Sequence, residues 1–187
     1  DPTKGAFVGC PAGWGCQLAN NNLYRAFEME KKGWLLIDPG SAAGLDGSMA
    51  KAAERGENWF GYYWSPTAMI GKYSMVPVDM GEWGGSENWD GCIVKPEQEC
   101  ADPKPSSWTH SEVHTVVTSE FADRGGPAVD YLKSRIFPGP IMNGMLVWMG
   151  EEQAGGADAA IEFLIQHEDL WTTWVSADAA AKIKASL

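Results

Sequence analysis

The chain has 187 residues, enough for one substantial core or for one lobe and part of another. Hydrophobic residues make up 44% and charged residues 21%, which is ordinary globular usage and excludes a disordered chain. With 25 acidic and 14 basic residues, the formal net charge of −11 gives a field that repels nucleic acid and anionic membranes. The acidity either serves solubility alone or also suits a cationic or zwitterionic small ligand.

The four cysteines form two close pairs in the sequence. Cys10 with Cys16 and Cys92 with Cys100 each bracket a turn-rich segment that contains proline. Local pairing is the simplest of the three connectivities, and two such disulfides predict an oxidising compartment. A zinc site is the alternative, although CxxC spacing is missing. No run is apolar and long enough to span a membrane, and we expect the mature or excised part of an exported protein.

Strand and helix patterns alternate along the first part of the chain. Short apolar or β-branched runs predict strands at residues 5–9, 34–37, 58–64, 74–78 and 113–118. Apolar residues at helical spacing predict helices at residues 17–32, 45–55 and 67–72. This alternation predicts an α/β fold with a doubly wound, mostly parallel sheet.

The pattern changes after residue 78. Residues 79–107 combine glycines, prolines, acidic residues and the second cysteine pair, which predicts an irregular hairpin. C-terminal helices are predicted at residues 127–136, 141–149, 157–167 and 177–186. We therefore expect an α/β ligand-binding lobe over residues 1–118, with the disulfide hairpin inserted at 79–107, and a C-terminal helical segment over residues 119–187.

An aromatic cluster at residues 62–64 runs from the third predicted strand into a helix that begins near Pro66. Trp64 would lie at the carboxyl end of that strand, where open α/β sheets bind ligands. An exposed indole face there attracts soft cations. Ser65 is the expected N-cap and Pro66 the expected first-turn residue of the helix.

Several motifs, taken in order, resemble the second lobe of substrate-binding proteins for glycine betaine, choline and related methylated amines. The motifs are Gly40-Ser41-Ala42-Ala43-Gly44, Glu54-Arg55-Gly56-Glu57, Trp64-Ser65-Pro66 and Lys72-Tyr73-Ser74-Met75. The resemblance implies a lobe like that of type II periplasmic binding proteins and a first lobe that is absent from this chain. It also implies a monomeric, periplasmic or extracytoplasmic component of an ABC importer, which passes its ligand to a membrane permease without chemistry.

The resemblance further implies a box of tryptophans that holds a quaternary ammonium group. Trp64 takes the box position after the third strand, and Trp14 takes the corresponding position after the first. Further expected contacts with the ligand come from Ser41, Ala42, Tyr63 and Thr67. Betaine-binding members commonly have histidine where this chain has Thr67, so a charge-assisted contact with a ligand carboxylate is lost. This favours choline or trimethylamine N-oxide without excluding glycine betaine.

Three alternatives remain open at the level of sequence. The acidic hairpin is either a solvated loop or a structural calcium site, for which the candidate ligands are Asp79, Glu87, Asp90 and Asp102. No cofactor is required by the transport function. Ser41 could serve a hydrolase, but no catalytic motif or partner histidine supports an enzyme. The exposed tryptophans could instead form the contact surface of a secreted, disulfide-stapled interaction module.

Overall fold

The computed structural model describes residues 3–187, which divide into two compact units. The first unit holds the residues up to Trp64 together with Tyr73–Ser111, and the second holds Ser65–Lys72 and Glu112–Leu187. The short stretch 65–72 joins the C-terminal helices, as shown by the Thr67 amide, which donates to Asn143 Oδ1 at 2.7 Å. The second unit thus combines two separate stretches of the chain.

Helices dominate both units. In chain order the main elements are β1 (Gly5–Val8), α1 (Gly15–Ala26), β2 (Trp34–Ile37), α2 (Ala42–Arg55), α3 (Ala68–Tyr73), α4 (Gly85–Asn88), α5 (Ser119–Arg124), α6 (Pro127–Ser134), α7 (Gly139–Glu151), α8 (Gly156–Gln166), α9 (Glu168–Trp171) and α10 (Ala177–Lys184). Short turns of π-helix at Trp89–Ile93 and of 3-10 helix at Glu97–Glu99 and Thr172–Trp174 complete the set. Each predicted helix is present; α1 ends six residues before its predicted end, and the other ends shift by at most three residues.

A small parallel sheet lies in the first unit. Strand β1 pairs with β2 in a register that sets Gly5 opposite Trp34 and Val8 opposite Ile37. On the other side of β1, Gly61 forms a single parallel bridge to Val8. The Val8 amide donates to the Phe60 carbonyl at 3.0 Å, and the Tyr62 amide donates to the Val8 carbonyl at 2.8 Å. The predicted doubly wound sheet is therefore wrong in extent, since residues 3–187 contain two strands and this bridge.

Three predicted strands do not form: residues 58–64 contribute a single bridge at Gly61, and the other two segments have no strand pairing. Residues 74–78 follow a left-handed turn at Ser74, where φ is 48°, and continue without strand pairing. Residues 113–118 run through a stretch in which every residue from 111 to 120 is exposed, and Val113 is 95% exposed. Valine and threonine favour a strand, but the preference is expressed only where a neighbouring strand accepts the backbone hydrogen bonds.

Local signals place the helix ends. The Ser41 hydroxyl accepts from the Gly44 amide at 3.0 Å and so caps α2, which ends at Gly56 in the left-handed conformation with φ of 67°. The expected cap of α3 is wrong. Thr67 Oγ1 accepts from the Ile70 amide at 3.2 Å, so Thr67 rather than Ser65 caps that helix.

Two glycines of α2 provide a matched pair of substitutions. A Cβ atom at Gly44 would lie 2.1 Å from the Pro39 carbonyl oxygen, whereas a Cβ at Gly47 would meet nothing within 4 Å. We expect Gly44→Ala to lower the free energy of unfolding by ~1–3 kcal/mol, because the turn before α2 must move. Gly47→Ala should raise it by ~0.5–1 kcal/mol through helix propensity. Urea denaturation measures both, and a Gly44→Ala protein as stable as the unsubstituted one contradicts the steric argument.

Each unit has its own core. In the first unit, Ala19 and Leu23 of α1 pack with Trp89 and Ile93 of the hairpin. In the second unit the buried cluster joins α7, α8 and the C-terminal segment; it consists of Met145, Ala159, Phe163, Trp171, Trp174 and Ala180. Among residues 3–187 no helix has both the length and the apolar character needed to cross a membrane.

Candidate functional site

Trp14 and Trp64 follow two adjacent segments of the first unit. Strand β1 leads into the loop that carries Trp14, and the segment bridged to β1 through Gly61 leads into Trp64. Because these segments run parallel, their carboxyl ends lie at the same edge. Ligands of open α/β sheets bind outside that edge.

The loop that carries Trp14 is closed at both ends. Cys10 and Cys16 form a disulfide, and the second disulfide joins Cys92 to Cys100, so the predicted local pairing is confirmed. The Gly13 amide donates to Gln17 Oε1 at 3.1 Å, and the Trp14 amide donates to the Pro11 carbonyl at 3.2 Å. The backbone of Trp14 is thus held in place while its side chain remains 36% exposed.

The two indoles meet at an angle. Their ring centroids lie 5.7 Å apart with an interplanar angle of 66°, and Trp64 is 41% exposed. Two rings that touch at this angle form a corner, so a compact cation can approach both π-faces within the ~6 Å at which cation–π attraction acts. The gap between the rings is too narrow to sandwich a methylammonium group. The corner itself is the part that can receive it.

Tyr63 supports Trp64 from within the first unit. Its ring stacks on the Trp64 indole with centroids 4.6 Å apart and an interplanar angle of 13°. Its hydroxyl donates to Asp46 Oδ1 of α2 at 2.6 Å. A ring held at both ends in this way fixes the orientation of Trp64, so Tyr63 can serve the site by positioning the indole.

Further aromatic rings, missed from the sequence, lie within and directly after the hairpin. The ring centroid of Trp108 lies 5.2 Å from that of Tyr62, and the Tyr62 centroid lies 6.3 Å from that of Trp64. Trp89 lies 5.2 Å from Trp108 and 5.3 Å from Trp83. The glycine-rich turn Gly81-Glu82-Trp83-Gly84-Gly85 is a sequence signal for an exposed Trp83, whereas Trp108 follows Pro105-Ser106-Ser107 and carries no such signal.

The family of the chain follows from its sequence match. Residues 1–166 match the OpuAC family, described as the substrate binding domain of ABC-type glycine betaine transport systems. The chain belongs to this family. No match was found among curated proteins. Members of the OpuAC family are transport binding proteins rather than enzymes, and the family implies a type II periplasmic-binding-protein fold.

The remaining predicted ligand contacts of this OpuAC domain are Ser41, Ala42 and Thr67. Ser41 and Ala42 lie at the start of α2, just after β2. The Ser41 hydroxyl already accepts a hydrogen bond from the Gly44 amide. Thr67 belongs to the second unit, where its amide donates to Asn143 and its hydroxyl caps α3. The structure therefore brings together Trp14, Trp64 and Tyr63, all of the first unit.

The acidic residues of the hairpin do not converge. Within the described part of the chain, no group of three or more histidine, cysteine, aspartate or glutamate side chains is arranged to hold a metal ion. Asp79 Oδ1 accepts from the Gly81 amide at 2.8 Å, and Asp102 pairs with Lys104. The candidate calcium ligands Asp79, Glu87, Asp90 and Asp102 thus form no cluster of three carboxylates among the described residues.

The hairpin nevertheless sets the electrostatic character of this part of the OpuAC domain. Residues 79–107 carry seven acidic and two basic side chains, a net charge of −5. Such a field attracts cations and disfavours an anionic group. Burial raises the pKa of the Tyr62 phenol, so this ring remains neutral and adds no competing charge.

The second unit contains an apolar cavity of about 490 Å³. Aromatic and aliphatic side chains line it, among them Phe137, Met145, Phe163 and Trp174. Its charged lining residue is Arg135, whose guanidinium carbon lies 5.8 Å from the Tyr131 ring centroid. A cavity whose charge is positive does not suit a methylated cation, so the aromatic surface of the first unit is the better candidate.

Proposed function

We propose that this OpuAC domain binds a quaternary ammonium or other methylated amine, of the choline, glycine betaine and trimethylamine N-oxide class, at the corner formed by Trp14 and Trp64. The contact between these two exposed indoles, at 5.7 Å and 66°, carries the proposal. Each ring supplies cation–π attraction of ~0.5–2 kcal/mol, depending on how much water is excluded. The methyl groups add apolar contact, which a primary ammonium does not offer.

A cationic ligand without an anionic end fits the chain best. The hairpin has a net charge of −5, and this chain has Thr67 where the resemblance to betaine-binding proteins implies a histidine. A zwitterion such as glycine betaine would therefore place its carboxylate in an unfavourable field. Choline carries the same trimethylammonium group with a neutral hydroxyl, and we propose it as the preferred member of the class.

The proposed setting follows from the family. An OpuAC domain that captures its ligand outside the cytoplasm hands it to the permease of an ABC importer. The two disulfides support this location, because an oxidising compartment preserves them. We propose a monomeric binding protein that carries its ligand unchanged and needs no cofactor for capture.

A charge-neutral isostere provides the sharpest test. In 3,3-dimethyl-1-butanol a carbon atom replaces the ammonium nitrogen of choline, so shape and apolar area are kept while the charge is lost. Calorimetric titration of the protein should give affinity for choline at least about tenfold above that for the isostere, because 1.4 kcal/mol of cation–π attraction corresponds to a factor of ten.

The same titration should include glycine betaine, trimethylamine N-oxide and tetramethylammonium. We expect tetramethylammonium to bind and glycine betaine to bind more weakly than choline. Equal affinity for choline and its isostere would show that the charge is not recognised. A folded protein that binds none of the methylated amines would overturn the proposal and favour the interaction-module alternative, whose surface would be the exposed tryptophans.

A further inference from the structure

Two hydrogen bonds join the ends of the hairpin at its base, next to Trp108. The Ser107 amide donates to the Glu82 carbonyl at 3.0 Å, and the Gly84 amide donates to Ser106 Oγ at 2.9 Å. Ser106 is almost completely buried. Trp108 directly follows this fastened pair, so its position depends on the hairpin base rather than on a free loop.

The hairpin is also anchored to α1. The side-chain amide of Asn22 donates to the carbonyls of Cys92, Ile93 and Lys95 at 3.2, 2.9 and 2.8 Å. Arg25 donates to the Cys100 carbonyl and pairs with Glu97 at 2.9 Å. These contacts hold both ends of the disulfide-closed loop. The hairpin is therefore a fixed part of the first unit.

Trp108 continues the ligand surface beyond the corner. Its indole, 38% exposed, rests edge-on against the buried Trp89 at 73° and lies beside Tyr62. The path from Trp64 to Tyr62 to Trp108 joins ring centroids in steps of 6.3 and 5.2 Å. A compact trimethylammonium group fills the corner of Trp14 and Trp64 alone, which leaves Tyr62 and Trp108 as a second aromatic platform.

We propose that Tyr62 and Trp108 form a subsite for the substituent of the ligand, and that Trp108 determines specificity for a trimethylammonium compound with an apolar or aromatic group. This inference rests on the proposed function, since the headgroup must first bind at the corner. Apolar and aromatic substituents gain contact area and ring stacking on such a platform. A substituent that ends in a carboxylate is disfavoured by the acidic hairpin.

Two cations that differ only in the substituent test the subsite. Tetramethylammonium offers the headgroup alone, and benzyltrimethylammonium adds one aromatic ring. Calorimetric titration of the protein should give at least about tenfold higher affinity for the benzyl compound, as expected for one added ring contact. In Trp108→Ala this preference should fall to about twofold or less, while affinity for tetramethylammonium stays within about twofold.

Trp83→Ala is the matched control. Trp83 is similarly exposed, at 44%, and belongs to the same hairpin base, but its ring contacts Trp89 rather than Tyr62. Its replacement should leave both affinities unchanged. Trp108→Phe keeps an aromatic ring and should retain part of the preference, which separates loss of the platform from disturbance of the fold. Thermal unfolding of each variant confirms that the protein remains folded.

The failures of the two proposals are distinguishable. If the unsubstituted protein binds neither cation, the proposed function is wrong and the subsite is wrong with it. If it binds tetramethylammonium without preferring the benzyl compound, only the subsite is wrong. If Trp108→Ala lowers the affinity for both cations equally, or changes neither affinity, a role of Trp108 in specificity is likewise overturned.

Discussion

Replacing Trp64 by alanine is expected to lower the affinity for choline by about 100-fold. The indole supplies one face of the corner, and its loss removes cation–π attraction of ~1–2 kcal/mol together with apolar contact to the methyl groups. It also removes the ring that contacts Trp14 at 5.7 Å, so the remaining indole loses its neighbour. Calorimetric titration with choline measures the loss directly.

Two controls make the Trp64 result specific. Trp83→Ala removes another exposed indole of the first unit, whose ring contacts Trp89, and should leave choline affinity within about twofold. Trp64→Phe keeps a smaller π-face and should recover part of the affinity. Near-ultraviolet circular dichroism checks that Trp64→Ala keeps its tertiary packing. A folded Trp64→Ala protein that binds choline as tightly as the unsubstituted one would rule out the corner as the binding site.

The largest effect on stability is expected at Trp89. Its side chain is 6% exposed, packs with Ala19, Leu23 and Ile93, and contacts the rings of Trp83 and Trp108. Trp89→Ala leaves a large cavity between the hairpin and α1. We expect the free energy of unfolding to fall by ~3–5 kcal/mol, as measured by urea denaturation.

Hydrogen exchange shows where the Trp89 substitution acts. The amides that fasten the hairpin base, those of Gly84 and Ser107, should exchange faster in Trp89→Ala. Trp83→Ala again serves as control. It should lower the free energy of unfolding by less than ~1 kcal/mol, since the Trp83 indole is largely exposed. A Trp89→Ala protein within ~1 kcal/mol of the unsubstituted one would mean that the hairpin is held by its polar contacts alone.

Those features that depend on neighbours in the sequence were predictable. The local disulfides, the helix positions and strands β1 and β2 follow from cysteine spacing, apolar periodicity and turn residues. The meeting of Trp14 and Trp64 was also foreseeable, because parallel segments bring their carboxyl ends to one edge. Each of these inferences needs only short-range pattern or a general rule of sheet geometry.

Features that depend on distant partners were not predictable. The segments 74–78 and 113–118 have strand composition, but strand formation requires a neighbour that local sequence does not specify. Trp108 meets Tyr62 across 46 positions of the chain because Asn22 and Arg25 fasten an irregular hairpin to α1. Side-chain hydrogen bonds to backbone carbonyls of this kind leave no periodic signal, so the aromatic platform appears only in the structure.

The bridge between Val8 and Gly61 makes the candidate site depend on a glycine at position 61. A Cβ atom at position 61 would lie 2.6 Å from the Val8 carbonyl oxygen and 2.8 Å from the Trp59 ring. Any residue larger than glycine would push this segment away from β1 and displace Tyr62, Tyr63 and Trp64 along with it. The distance between the Trp14 and Trp64 rings therefore depends on Gly61, three residues before Trp64. Its Cα carries a hydrogen atom in place of a side chain, which allows the two backbones to come into contact.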